Sequence, residues 1–414
     1  MGTGPGRALT LPGAVAIVRA ISMDFGLSPA EQAFALEVRE FLRAHPPETF
    51  PIDGTDAGYG SGAHSRAFTR ALGERGWLSM AWPREHGGQA RPTGFLLVLL
   101  EELAASGAPF GPLPGCFQVA DSIIRNGSAT LQREILPQVA RGDASFWQGY
   151  SEPDAGSDLL ALKTHARLDG DHWVLDGRKI WSSHAGIAPY GTVLARTDPI
   201  SSRNRGLSML MVDNRLPGMD VRPIRSLTGQ VYHYEIFMDS VRVPREWIMG
   251  RPGEGFGQLL KGLDTDRFWG RFYKAPFLRR IAGLLVEYVN TARPGDAVAR
   301  RRLAQAATEI AALRALFARA AWLIEGGLPA TGEVSAAKVM ADELGQRVLS
   351  LGMELLGAYG VLRAGSRWAQ LRGEIEHQYQ TSWGHTLAGG TSEIQRTTLA
   401  VRALGLPAEP RARA

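Results

Sequence analysis

Cysteine is almost absent: Cys116 is the single one in 414 residues. That excludes an intrachain disulfide and any cysteine-built metal centre, and it fits a reducing cytoplasm. Lysine is scarce too. Only Lys163, Lys179, Lys261, Lys274 and Lys338 occur, so the 46 basic residues, set against 41 acidic ones, are overwhelmingly Arg. A net charge of +5 raises the question of a nucleic-acid partner. The Arg are scattered, however, and no basic run with interleaved aromatics appears, so none is expected. Long apolar runs are missing as well. The longest, residues 95–100, falls far short of the ~20 residues that cross a bilayer, so no membrane segment is expected.

Several catalytic signatures are also lacking. Gly253-Glu254-Gly255-Phe256-Gly257 looks superficially like a nucleotide-binding loop, but a strand-rich region precedes it and no parallel βαβ unit surrounds it. It reads as a loop capping the helix that follows. The nine His are dispersed, with no metal-ligand spacing, and no Gly-x-Ser-x-Gly elbow exists. A metal hydrolase and a serine hydrolase are both disfavoured.

What is present is a globular composition, 44% apolar and 21% charged, in a chain long enough for two or three domains. Residues 1–22 look foreign to the body. They hold Gly2-Thr3-Gly4-Pro5-Gly6 and a weak apolar stretch without a clear cleavage site. Met23 reads as the natural start, and 1–22 as a disordered extension. Ser28-Pro29-Ala30-Glu31 has the form of a capping box with Pro at the first helical position. Phe34, Val38, Phe41 and Leu42 then recur on one face. Further helices are expected at 64–73, 94–105 and 129–140, so residues 23–143 form a helical domain.

The period changes near Phe146. Short apolar runs alternate with polar residues, and Asp169-Gly170 and Asp176-Gly177 mark hairpins. Strands are expected around 173–175 and at 179–182, 191–196, 207–212 and 232–238, making residues 144–250 a compact antiparallel barrel or sandwich. From Gly255 the helical period returns, with helices expected at 268–291, 298–325, 334–356 and 366–383 and a last one opening after Gly389-Gly390. Residues 251–406 thus form a four-helix bundle with a tail at 407–414. The fold class is α+β and multidomain: helices, strands, helices.

Four strings, in order, carry a resemblance: Gln148-Gly149-Tyr150-Ser151-Glu152-Pro153-Asp154-Ala155-Gly156-Ser157-Asp158; Arg178-Lys179-Ile180-Trp181-Ser182-Ser183; Val241-Arg242-Val243-Pro244 through Gly253-Glu254-Gly255-Phe256; and Gly389-Gly390-Thr391-Ser392-Glu393-Ile394-Gln395-Arg396. Together they resemble the acyl-CoA dehydrogenase family over residues 23–406. The resemblance implies FAD held between the β domain and the C-terminal bundle. Gln148, Tyr150 and Ser151 fall where the family contacts the isoalloxazine ring. Trp181, Ser182 and Ser183 fall on its other strand, with Ser183 near flavin N5. Hydroxyls and N–H groups there would stabilise the negative charge of reduced flavin. Thr391 and Glu393 open a helix after two glycines, a place suited to pyrophosphate. Gly357, in Leu355-Leu356-Gly357-Ala358-Tyr359-Gly360, falls in a segment that serves the neighbouring subunit's cofactor, although Ala358 stands where another Gly is expected. The string for the adenine end is not evident around Arg293-Pro294-Gly295.

The implied reaction removes an α-proton from an acyl thioester, on CoA or on a carrier protein, while the β-hydrogen leaves as hydride to flavin. Electrons then pass to an electron-transfer flavoprotein. One carboxylate must act as base. The chain departs from the commonest pattern here, because Gly389 stands where the catalytic Glu is usual. Some members carry the acid directly before an Arg on the first helix of the C-terminal domain, which points to Asp266-Arg267. Asp266 is therefore the expected base. Ser157, Asp264 and Arg267 fall among the substrate contacts, and Gly389 still offers its backbone N–H. Phe268, Trp269 and Phe272 beside Asp266 suggest a pocket base shaped for a short or flat acyl group. The resemblance implies a homodimer or homotetramer. The missing Glu also admits a subunit that works beside a paralogous chain, and an oxidase or monooxygenase of the same fold is a further alternative.

Overall fold

The computed structural model describes residues 25–53, 63–198, 200 and 204–408, with the side chains of residues 260–267 outside the description. The expected extension 1–22 and most of the tail lie outside these residues. Helix α1 (Pro29–Ala44) starts with the expected capping box: the Ser28 backbone N–H donates to Glu31 Oε2 (2.8 Å) and the Glu31 N–H to Ser28 Oγ (3.3 Å). Then come α2 (Arg66–Glu74), α3 (Gly94–Ser106), α4 (Leu113–Asn126) and α5 (Ala129–Ala140). Helix α4 is unannounced in the sequence. Its opening, Pro112-Leu113-Pro114-Gly115, reads as a loop, yet Pro is well tolerated in a first helical turn, where the missing N–H has no partner to lose.

The strands are β1 (Phe146–Gly149), β2 (His165–Asp169), β3 (His172–Ser183), β4 (Tyr190–Arg196), β5 (Leu207–Asp213), β6 (Met219–Arg225), β7 (Val231–Pro244) and β8 (Ile248–Met249). They form one sheet in the order β6-β7-β3-β2-β4-β5-β8, with β1 also on β4. The sheet is not purely antiparallel as expected. Strands β1 and β2 pair with β4 in parallel, β1 along Tyr190 to Val193 and β2 at Arg196, so the two share one edge of β4 in succession. Strand β6 was missed because Pro223 lies in it; it is the sheet's edge, the position that tolerates a residue with no N–H. Strands β4 and β5 are mostly apolar and buried at nearly every position because both faces are covered. Val193, Ala195, Leu210 and Val212 join Trp173, Leu175, Val241 and Val243 inside the curled sheet, while Leu194, Leu207, Met209 and Met211 pack against α4 and α5. Gly191 has no alternative: a Cβ there would meet the Trp147 ring at 2.1 Å.

The bundle comprises α6 (Gly255–Phe272), α7 (Lys274–Ala292), α8 (Ala297–Glu325), α9 (Thr331–Leu356), α10 (Glu374–His385) and α11 (Ser392–Thr398). The expected single helix over 268–291 is two helices, joined at Tyr273. Pro276 cannot donate to the carbonyl four residues back, so α6 ends there. Helix α10 starts at Glu374 rather than near Ser366, because Leu371, Arg372 and Gly373 all have positive φ. One apolar core runs from α1 and α3 into the bundle, so the first and last thirds of the chain fold as one helical body around the sheet.

Candidate active site

The loop after β1 and the far end of β3 are stitched together. The Ile180 N–H donates to the Ser151 carbonyl (3.0 Å). Strand β3 bulges between Lys179 and Ser182, and Trp181 takes φ +61° there. The bulge turns Trp181 outward, 57% exposed, edge-to-face with His233 of β7 at 5.8 Å. Ser182 is fully buried and its hydroxyl has no hydrogen-bond partner among the described residues, whereas Ser183 is half-buried beside His233 in the ladder. Gln148 donates to Gln118 of α4 (2.9 Å), and the Tyr150 hydroxyl lies 3.3 Å from that of Thr192. Gln148, Tyr150, Ser151, Trp181, Ser182 and Ser183 therefore share one region. Ser157 is exposed further along the same loop.

Beneath this surface lies a buried ion pair. The Lys179 ammonium, fully buried, is 2.8 Å from Glu152 Oε1 and donates to the Tyr150 carbonyl (3.2 Å). Glu152 also accepts the N–H groups of Lys163 (2.6 Å) and Thr164 (2.9 Å). Burial alone would raise the Glu152 carboxyl, but the Lys179 charge and the donated hydrogen bonds hold it below the usual carboxylate range. Burial pushes Lys179 down to about 8, against the pull of Glu152.

The fourth string begins in the turn between α10 and α11. Gly389 and Gly390 have φ +68° and +86°, which only glycine adopts freely. Among the described residues, a Cβ at Gly389 would meet only Arg271 Nη2 within 4 Å, at 3.7 Å. Thr391 caps α11, its hydroxyl accepting the Ile394 N–H (3.2 Å), and Glu393 is exposed. The turn is held from behind by basic side chains. Arg271 donates to the carbonyls of Ala388 (3.0 Å) and His385 (3.4 Å) and is 3.0 Å from Asp342. Lys338 is 3.1 Å from Asp342. Lys274 lies 2.9 Å from the His385 ring. Burial drops Lys274 to about 7 and keeps His385 well below its ordinary value. After burial, the nearby Lys274, Arg271, Lys338 and His233 charges lower His385 further.

A cavity of about 400 Å³ opens beside Tyr150 and Thr192, walled by Gln118 and Ser122 of α4 and by Gln258 and Leu259 of α6. Asp266 is seven residues after Leu259, which puts it on the same helical face about two turns further along. Asp264, Asp266 and Arg267 are placed by their backbone only; their side chains lie outside the described residues. The expectation that aromatic rings floor the pocket is not met. Phe268, Trp269 and Phe272 are buried in the helical core against Phe317 and Phe117 and do not line this cavity. Gly357 ends α9 at φ +57°, exposed and fifteen residues beyond Asp342. At the ordinary helical rise that is roughly 22 Å from the Gly389 turn's brace, so this chain does not gather it with the rest. Sequence reasoning also missed Glu152 and Lys179 as a pair, and Lys274 with His385. The one signal was the rarity of Lys, since three of the five, Lys179, Lys274 and Lys338, are buried here.

The described residues of this region suit a flavin: a bulge presenting an aromatic face, a buried Ser182 hydroxyl with no hydrogen-bond partner among them, and only Arg271 within 4 Å of a Cβ at Gly389. Among the described residues no His, Cys and carboxylate group could hold a metal, and no helix is long and apolar enough to cross a membrane.

Helices, a curled sheet and a second set of helices meeting at such a region are the architecture of a flavoprotein oxidoreductase. Three models of the acyl-CoA dehydrogenase family match in order: the N-terminal domain at residues 28–143, the middle domain at 148–241 and the C-terminal domain at 253–404. The chain belongs to the acyl-CoA dehydrogenase family. Its similar relatives include acyl-CoA dehydrogenase IpdE1 of Mycobacterium tuberculosis, 33% identical across 83% of this chain and 88% of that one. Acyl-CoA dehydrogenase FadE26 of the same organism is 32% identical across 93% and 99%. Among solved structures, the Tcur3481-Tcur3483 steroid ACAD superposes with a TM-score of 0.83 at 29% identity, covering 94% of this chain and all of that one. The protein is an acyl-CoA dehydrogenase, an oxidoreductase.

Proposed function

We propose that the chain performs the FAD-dependent α,β-dehydrogenation of an acyl thioester, on CoA or an acyl-carrier protein, with Asp266 as base and an electron-transfer flavoprotein as acceptor. The observation that carries the base is negative at one place and positive at another. Position 389 has a glycine backbone and no side chain, whereas Asp266 shares its helical face with a residue of the cavity wall. Asp266 takes the α-proton. Arg267, its neighbour, orients the thioester end, with Asp264 and Ser157 as further substrate contacts. The Gly389 N–H holds the thioester oxygen, which acidifies the α-carbon. FAD, when bound, supplies the acceptor for the β-hydrogen as hydride. Gln148, Tyr150, Ser151, Trp181, Ser182 and Ser183 hold its ring, and Thr391 and Glu393 sit toward its phosphates. The Thr391 hydroxyl accepts the Ile394 N–H, and its own O–H can still donate to a phosphate beside the backbone N–H groups.

The test is anaerobic. Wild type and Asp266→Ala are mixed with a panel of acyl-CoA and acyl-carrier-protein thioesters, and the flavin absorbance is followed. Bleaching by wild type alone supports the reading. Bleaching by both chains moves the base elsewhere.

A second reading concerns assembly. Two solved neighbours are described as two-component proteins, the steroid ACAD above and the ChsE4-ChsE5 complex of Mycobacterium tuberculosis, the latter at 29% identity and a TM-score of 0.76 over 95% of this chain and all of that one. Tyr359, Val361, Trp368 and Trp383 of this chain are exposed. We infer an oligomer, formed by copies of this chain or with a paralogue, that covers them and lends Gly357 to a neighbour's cofactor. Light scattering of the chain alone and with a paralogous chain distinguishes the two. The steroid description of one neighbour makes ring-bearing thioesters the first members of the panel.

A further inference from the structure

Glu152 is a junction of three segments. Its carboxylate joins the loop after β1 to the lead-in of β2, through the N–H groups of Lys163 and Thr164, and to β3 through Lys179. Its own backbone closes a tight turn, exchanging hydrogen bonds with Ala155 (2.9 and 3.1 Å). Lys179 completes the junction from the other side by reaching both Glu152 and the Tyr150 carbonyl. The spacing along the chain gives the pair its meaning. Glu152 immediately follows Ser151, and Lys179 is two residues before Trp181, so each partner sits just behind one of the two edges of the proposed flavin cradle. Neither contact touches the open surface. Beyond the backbone bond from Ile180 to Ser151, this loop is bolted to β3 by a charge pair in the protein interior.

We propose that Lys179 and Glu152 are positioning residues for the cofactor: the buried pair fixes the separation between the Tyr150 and Ser151 edge and the Trp181, Ser182 and Ser183 edge. The inference rests on the proposed flavin site. A pair that acts as one unit gives non-additive losses, because removing either partner already dissolves the junction. Removing one partner also leaves the other charge buried alone, whereas removing both does not.

The experiment compares the full chain with Lys179→Met, Glu152→Gln and the double variant. Affinity of the deflavinated proteins for FAD is measured by fluorescence, together with the visible spectrum and midpoint potential of the bound flavin. Amide hydrogen exchange of residues 150–164 is followed in the same proteins without cofactor. Glu152→Gln preserves the side-chain shape, so it serves if Lys179→Met fails to fold. The expected result is a loss of FAD affinity of tenfold or more in each single variant, no further loss in the double variant, and a shifted flavin spectrum and potential. Unchanged affinity and spectrum, or losses that multiply in the double variant, overturn the proposal. If the wild-type chain takes up no FAD, the flavin reading itself fails. The pair is then judged on exchange alone: faster exchange at Ala155 and Thr164 in the variants upholds it as the brace of this loop, and equal protection refutes it.

Discussion

Two buried lysines, one on each side of the proposed flavin crevice, are handled in opposite ways. Lys179 in the sheet lies against a carboxylate whose remaining capacity is filled by two backbone N–H groups. Lys274 in the bundle has no carboxylate within ion-pairing distance among the described residues. It touches the His385 ring, with Arg271 and Lys338 adding positive charge nearby and Asp342 opposing from further off. Burial lowers both lysines, but the paired one stays near 8 and the other drops to about 7. The sheet side is a closed ionic joint. The bundle side is a place where charge is tolerated only partly, directly behind the turn that carries Gly389.

The largest expected break in this comparison is Lys179→Met, which strands the Glu152 carboxylate. Loss of one partner of a buried pair costs about 3–5 kcal/mol, to be read from urea denaturation of the cofactor-free chain. A smaller cost than that of an exposed pair would mean the joint is not one.

Lys274→Met should have the opposite sign near neutral pH and below. The folded chain releases the Lys274 proton at about 7, while the unfolded chain holds it to the ordinary value of 10.5. Wild-type stability should therefore rise with pH across that window. The variant should be more stable than wild type at about pH 6, by on the order of 2 kcal/mol, and should lack the first part of the rise, keeping only the part that begins near pH 8 with Lys179. Denaturant midpoints across pH measure both. A flat wild-type profile would show that Lys274 is charged and well paired after all.

Gly389→Glu restores the commonest family residue to a backbone at φ +68°. It should cost roughly 1 kcal/mol of stability in a thermal melt and, with Asp266 as the proposed base, should not raise turnover. Higher turnover would relocate the base. The smallest effect belongs to the surface. Arg39 and Glu102 pair at 2.6 Å with the Arg more than half exposed, so Glu102→Gln should change stability by about 0.5 kcal/mol or less, vanishing in high salt.

The order of helices, strands and helices was readable because each carries its own period, and the Ser28 capping box was readable because it is local. What failed were interruptions set by distant contacts. Pro276 splits one apolar run into α6 and α7 although the pattern runs on through it. Pro223 disguised an edge strand, and the parallel docking of β1 and β2 on β4 has no local signature at all. In the site, Tyr150, Ser151, Trp181 and Ser183 were legible through whole strings. The residues behind them were not. Lys179 and Glu152 lie within those same strings, but nothing in one dimension says that their side chains turn inward and meet. The aromatic trio Phe268, Trp269 and Phe272 shows the converse error, since closeness to Asp266 in sequence placed it in the pocket when packing against Phe117 and Phe317 holds it in the core.

Cys116 has a practical consequence. It is sealed on the buried face of α4, and burial pushes its thiol up to about 12, so it presents essentially no thiolate to a reagent at neutral pH. The protein therefore comes ready for site-specific chemistry. A cysteine introduced at an exposed position such as Val361 or Trp368 would be the one reactive sulfur in the native fold. A single dye or spin label placed there would report subunit contact and crevice opening without first having to strip the chain of its own thiol.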